Sequence, residues 1–158
     1  MQRSGWQGAP PPQTDFQRHH LIPIGLLRRP QMAAMFDQLQ VEGFALEHFG
    51  RNGLMLPARE PIALVSGHAL HRGPHHGYTE VVGARVERVR AHFMLHAPVD
   101  LRSARRTAVM RLRLLQDATR RALTDGHGAG FWLNRRDPMR LFFDRPYLDE
   151  AIDKLFGA

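Results

Sequence analysis

Four histidines and one asparagine stand in a pattern that could hydrolyse a phosphate ester. His19 and His20 are adjacent and run into Leu21-Ile22-Pro23. Asn52 precedes Gly53-Leu54-Met55-Leu56-Pro57, and His71 and His75 bracket Arg72-Gly73-Pro74. Breaking a phosphodiester requires that a water be deprotonated, that charge at phosphorus be stabilised and that an alkoxide be accepted. A divalent ion meets the last two needs, and a histidine titrating near neutrality meets the first. The chain has no cysteine, so disulfides and thiolate metal sites are excluded. A transition metal would have to be held by carboxylates or by some of the ten histidines.

The elements that position these groups follow from local pattern. Residues 15–24 predict a short strand and its exit, because Pro23 forces Ile22 into an extended conformation. Neighbouring side chains on a strand point to opposite faces. One of the two adjacent histidines can therefore face a metal while the other faces a substrate. Pro30 to Gln40 predicts a helix, with Met32, Met35, Phe36 and Leu39 at helical spacing as core and Gly43 beyond its end. Phe44 to Leu56 predicts the second half of a β-hairpin, with Asn52-Gly53 as the turn dipeptide that tolerates positive φ. Arg59 to His68 reads as a loop. From Pro74 a helix is expected to about Phe93, with Tyr78, Val82, Val86, Val89 and Phe93 on one apolar face. Asp100 is placed to cap a further helix to about Thr124, before Gly126. Its buried stripe is read as Leu101, Ala104, Ala108, Leu112, Leu115, Ala118 and Ala122. Residues 126–144 read as irregular or weakly extended, and residues 144–156 as a final short helix. The predicted fold class is α+β. Residues 1–14, rich in Gly, Pro and Gln, read as a disordered arm, and residues 15–158 as a single domain.

Composition narrows the function classes. The 158-residue chain carries a formal net charge of +7 and a sequence pI of about 11.2, which favours polyanionic partners such as nucleic acid. An Arg-rich but otherwise ordinary soluble protein would show the same balance, so charge alone does not decide. No stretch approaches the apolar length of a membrane span. The N-terminal residues lack the apolar centre of a classical signal peptide.

Taken together, the His-His pair, the Asn52-Gly53 block and the closing His-x-x-x-His resemble the HNH (His-Me finger, ββα-metal) endonucleases, and most closely the AHH-type nuclease domains of bacterial toxins. The resemblance covers about residues 15–90 and rests on three blocks in the right order. It departs from the AHH pattern at Arg18, which stands where the name implies alanine. It implies a ββα-metal core with a short β-hairpin over about residues 15–95, followed by a helical extension over about 98–158. It implies His20 as general base and His19, His71 and His75 as ligands of one divalent ion. The ion is expected to be zinc, nickel, magnesium or manganese, and three neutral imidazoles suit zinc, nickel or similar ions better than magnesium. Pro74 would leave His71 in the approach loop and put His75 in the first turn of the helix, whose N-terminus favours an anionic phosphate. Asn52 is expected to pin the hairpin loop and orient the base through its backbone, and a turn asparagine tolerant of positive φ would look the same.

Arg18, Arg72, Arg85 and His76 flank the signature as candidate nucleic-acid contacts, arginine being suited to bidentate phosphate binding. A solvated first-turn position explains His76 equally well, and Tyr78 has packing beneath the helix as its default role. The arginines of residues 102–121 are more often a solvated helix face than a track for DNA. The expected activity is metal-dependent hydrolysis of DNA with little sequence preference, since nothing resembles a base-reading module. RNA remains an open substrate. The resemblance further implies a toxin held in check by an immunity protein, acting in a bacterial cytoplasm or delivered into a target cell by specialised secretion. The competing readings are a non-catalytic nucleic-acid-binding module with a structural metal site, and a nuclease of phage, restriction or repair type.

Overall fold

The computed structural model describes residues 15–72, 76–124 and 132–134. The expected arm 1–14, the helix start at Pro74, His75, the side chain of His76, the Gly126 cap, most of 126–144 and the helix over 144–156 lie outside the described residues. What is described mixes helix and strand, as the α+β class requires. Strand β1 spans Phe16–His20, helix α1 Pro30–Leu39, helix α2 Phe49–Asn52, and strand β2 Gly53–Pro57. Helix α3 spans Glu60–Ser66, strand β3 Leu70–Arg72, helix α4 His76–His96, helix α5 Leu101–Thr124, and strand β4 Trp132–Asn134.

β1 and β2 pair antiparallel, with His19 opposite Leu54 and His20 opposite Gly53. β3 pairs with β4 in parallel, with His71 opposite Leu133, and β3 lies against both β1 and β2. Behind the strands α1, α4 and α5 enclose one apolar core. Met32, Met35, Phe36 and Leu39 of α1 meet Tyr78, Val82, Val86, Val89 and Phe93 of α4 and Ala104, Ala108, Leu112 and Leu115 of α5. Asp100 caps α5 by accepting the backbone N–H of Ser103 at 3.0 Å. Among the described residues, no helix is long and apolar enough to cross a membrane.

Several local expectations are corrected. β1 and β2 are not the arms of a tight hairpin, because residues 21–52, including α1 and α2, run between them. Asn52 and Gly53 are no positive-φ turn either: Asn52 ends α2 and Gly53 is extended at φ −122°. Among the described residues the left-handed glycines are Gly43 at φ 74° and Gly67 at φ 70°, each ending a helical segment. Gly53 is small for a steric reason, since a Cβ there would collide with the Phe49 ring. The stretch read as a loop from Arg59 to His68 contains α3, with a proline in its first turn and Gly67 at its end. His71 is in strand β3, not an approach loop. Leu101 is exposed rather than part of the stripe of α5, whose buried face instead adds Val109, Gln116, Thr119 and Leu123.

Candidate nuclease site

Strand alternation divides the adjacent histidines. Gln17 and His19 share one face of β1, Arg18 and His20 the other. His19 is 1% exposed and His71 6%, and their rings meet edge-on with centroids 5.1 Å apart. Two imidazoles ligating one tetrahedral ion, at metal–nitrogen distances of about 2.0–2.1 Å, have centroids roughly 5 Å apart. The pair thus fits a shared ion.

Gln17 adds to that fit. Its Oε1 lies 2.9 Å from His71 Nδ1, and an amide oxygen can only accept, so Nδ1 donates. The lone pair of a neutral His71 then sits on Nε2, and the ring is oriented as it is when a neighbouring acceptor fixes a ligand histidine. Below His19, Tyr78 makes an edge contact at a 4.7 Å centroid distance, and its hydroxyl donates to the Leu21 carbonyl at 2.5 Å. Burial drives the Tyr78 hydroxyl far above its ordinary range, only partly offset by a hydrogen bond with Thr119. The phenol stays neutral and serves to hold the exit of β1 over the helix.

On the opposite face His20 packs edge-on against Phe49 at 5.6 Å, and the Arg18 guanidinium lies 4.0 Å above the centre of the same ring. Partial burial, and next the Arg18 charge, lower the pKa of His20 below that of a free histidine. Its imidazole is therefore a neutral proton acceptor at neutral pH.

Asn52 joins the two sides of the fold and is wholly buried. Its Oδ1 accepts the Ile22 N–H at 2.9 Å and the Gln116 amide at 3.1 Å. Its Nδ2 donates to the carbonyls of Ile22 at 2.8 Å and Leu46 at 2.9 Å. Its own carbonyl accepts from Leu21 N–H at 2.9 Å. These bonds fasten the segment just after His20, and among the described residues Asn52 hydrogen-bonds neither histidine ring.

Arg72 is exposed and donates to the Ala58 carbonyl at 2.8 Å. Arg85 is half-buried two helical turns beyond Tyr78. Sequence reasoning missed Gln17, Phe49, Gln116 and Arg120. Only Gln17 had a signal, its position two residues before His19 on the same strand face. Arg120 donates to the carbonyls of Arg51 at 3.1 Å and Gly53 at 3.2 Å, bracing the turn into β2 from α5. No group of three or more metal-ligating side chains is found among the described residues, a set that does not include His75.

Residues 1–108 match the AHH family, described as a nuclease family of the HNH/ENDO VII superfamily with conserved AHH. The chain belongs to this family. It is a nuclease family, so the expected substrate is nucleic acid and the expected chemistry hydrolytic. The match spans the strand carrying His19 and His20, the Asn52 clamp, the His71 strand and α4, and stops within α5. Searches of curated proteins and of solved structures give no match.

Proposed function

We propose that this AHH-family chain is a metal-dependent endonuclease built on a ββα-metal core, acting on DNA with little sequence preference. The observation that carries the reading is the division of His19 and His20 between two faces of β1. The buried His19 face gathers His71, Gln17 and Tyr78. The His20 face gathers Arg18 and Phe49.

His19 and His71, with His75 as the third donor, would hold one divalent ion, and nitrogen ligands favour zinc or nickel. Such an ion supplies Lewis-acid neutralisation of charge on the phosphate and on the departing 3′ oxygen. The remaining work falls to side chains. His20, neutral at pH 7, takes a proton from water as the water oxygen attacks phosphorus and the bond to the 3′ oxygen breaks. Arg18, laid on the Phe49 ring beside that base, holds a phosphate oxygen of the substrate. Arg72, Arg85 and His76 would contact flanking phosphates. Asn52 and Tyr78 keep the exit of β1 fixed, so the two histidines retain their opposite aims.

Plasmid nicking by metal-stripped protein resupplied separately with zinc, nickel, manganese and magnesium tests the reading. Nicking restored by a metal and abolished in His20→Ala, with DNA binding retained, is the expected outcome. Full activity in His20→Ala would overturn the mechanism. The resemblance to toxin-borne domains extends the proposal to an effector restrained by an immunity protein. Cytoplasmic expression in a bacterium is then expected to arrest growth in a His20-dependent way.

A further inference from the structure

α2 has two sides. Phe49 faces Arg18 and His20. His48 and Arg51 instead line a cleft of about 170 Å³ closed by Arg113 and Gln116 of α5 and by Phe44. The polar side chains of that lining are two guanidiniums, one imidazole and one amide, with no carboxylate among them. Among the described residues neither Arg51 nor Arg113 takes part in an ion pair. The larger groove beside it shares Arg113 but is lined also by Glu42 and Asp117, and Glu42 already engages Arg106 at 3.8 Å. Two adjoining concavities therefore differ in charge: the larger balances two arginines against two carboxylates, while the smaller is lined by cationic and neutral groups alone and suits an anion.

The cleft is tied to the candidate active site. Its Gln116 donates to Asn52 Oδ1, and Arg51 precedes Asn52 and Gly53, the residue paired with His20. Arg120 holds the Arg51 and Gly53 carbonyls together from α5. A strand bound across the His20 face and continuing around α2 would bring a phosphate outside the cut to this cleft. Two guanidiniums converging on one concavity suit a phosphate with several exposed oxygens.

We propose that the cleft between α2 and α5 is a second phosphate subsite, gripping a backbone phosphate of the bound strand away from the one being cut. This rests on the nuclease reading above. It gives α5, whose arginines carry no motif, a part in substrate binding.

The test is Arg51→Gln combined with Arg113→Gln in the full, metal-loaded chain. Arg28→Gln combined with Arg88→Gln removes the same charge from exposed sites outside the cleft. Thermal melts establish that both proteins are folded. Oligonucleotide affinity is measured against salt concentration. Cleavage kinetics are measured on a dinucleotide, which spans only the cut, and on a longer oligonucleotide. The cleft variant is expected to bind the longer strand about tenfold more weakly, with a log–log salt slope shallower by about one. Its KM for that strand should rise more than its kcat falls, and the difference from wild type should disappear on the dinucleotide. An equal loss in the control pair would reduce the effect to general charge and overturn the subsite. So would an equal loss on dinucleotide and longer strand. A longer-strand affinity as high as wild type would overturn it as well. Wild-type protein that cleaves no nucleic acid with any metal would instead overturn the nuclease reading itself. Inorganic phosphate serves as the competing probe. If it displaces the longer strand from wild type far more readily than from the cleft variant, the phosphoryl group is the part recognised. Equal displacement from both overturns that assignment.

Discussion

The side-chain amide of Asn52 and the backbone of Ile22 exchange two hydrogen bonds, 2.9 Å from Ile22 N–H to Oδ1 and 2.8 Å from Nδ2 to the Ile22 carbonyl. The amide takes the place of a partner strand just where β1 ends. Asn52→Ala strips partners from Ile22, Leu46 and Gln116 in a buried setting. The expected loss of unfolding free energy is about 4 kcal/mol or more, since four buried groups lose a partner and each costs roughly 1–3 kcal/mol. Urea denaturation checks this. Gln116→Ala removes one of those bonds and should cost less, about 1 kcal/mol. A variant pair of equal stability to wild type would show that the clamp contributes nothing.

Tyr78 separates packing from hydrogen bonding. Tyr78→Phe keeps the ring beneath His19 and deletes the hydroxyl that donates to Leu21 and hydrogen-bonds Thr119, at an expected cost of about 1–2 kcal/mol. The two proteins should also respond differently to alkali. Because burial raises the folded-state pKa of Tyr78 above the ordinary 10.0, the unfolded chain releases this proton first as pH rises. The stabilisation is thus complete below pH 10 and declines above it. Chemical denaturation on either side of pH 10 should show that decline in wild type and a shallower one in Tyr78→Phe.

Arg18 acts on His20 by charge. Removing it in Arg18→Ala leaves the imidazolium less opposed, so the His20 pKa rises. On the proposed mechanism the acidic limb of the kcat/KM profile then moves to higher pH, and the plateau falls about tenfold with the lost phosphate contact. Arg18→Lys should keep part of the pH effect but lose the stacking on Phe49. A profile in Arg18→Ala identical to wild type would remove Arg18 from the reaction.

Gln17 governs the His71 ring. Gln17→Leu deletes the acceptor at Nδ1, and affinity for zinc or nickel should fall about 10–100-fold. Gln17→Glu restores an acceptor and should recover it. Competition with a chromogenic chelator reads the affinity without any cleavage assay. Unchanged affinity in Gln17→Leu would mean that the contact does not orient a ligand.

Much of the fold was legible because it is written in short-range periodicity. The stripes of α1, α4 and α5 recur every three to four residues, and β1 follows from Pro23 and the alternation before it. What escaped depends on partners far along the chain. α3 buries only Ala63 among its residues while Leu64 and Val65 are exposed, so it has no stripe to read, though Pro61 and Gly67 mark its ends. Asn52-Gly53 looks like a local turn, yet the hydrogen bonds that decide its conformation reach Ile22 and Gln116. The three-residue β3 pairs in parallel with β4, some sixty positions later in the chain, and no local pattern announces a strand so short. In the candidate site the histidines announced themselves by type and spacing. Gln17, Phe49 and Arg120 matter through what they touch.

The pairing of β3 with β4 separates two boundaries that are easily equated. The recognisable family stretch ends at residue 108, within α5. Beyond it lie Gln116, which completes the Asn52 clamp, Arg120, which ties down the start of β2, and β4, which covers the open edge of the strand bearing His71. A chain cut at the end of the family stretch would keep every histidine of the signature. It would also leave His71 on an uncovered strand edge, free to recruit a neighbouring chain. The matched stretch is shorter here than the set of residues that brace the candidate site.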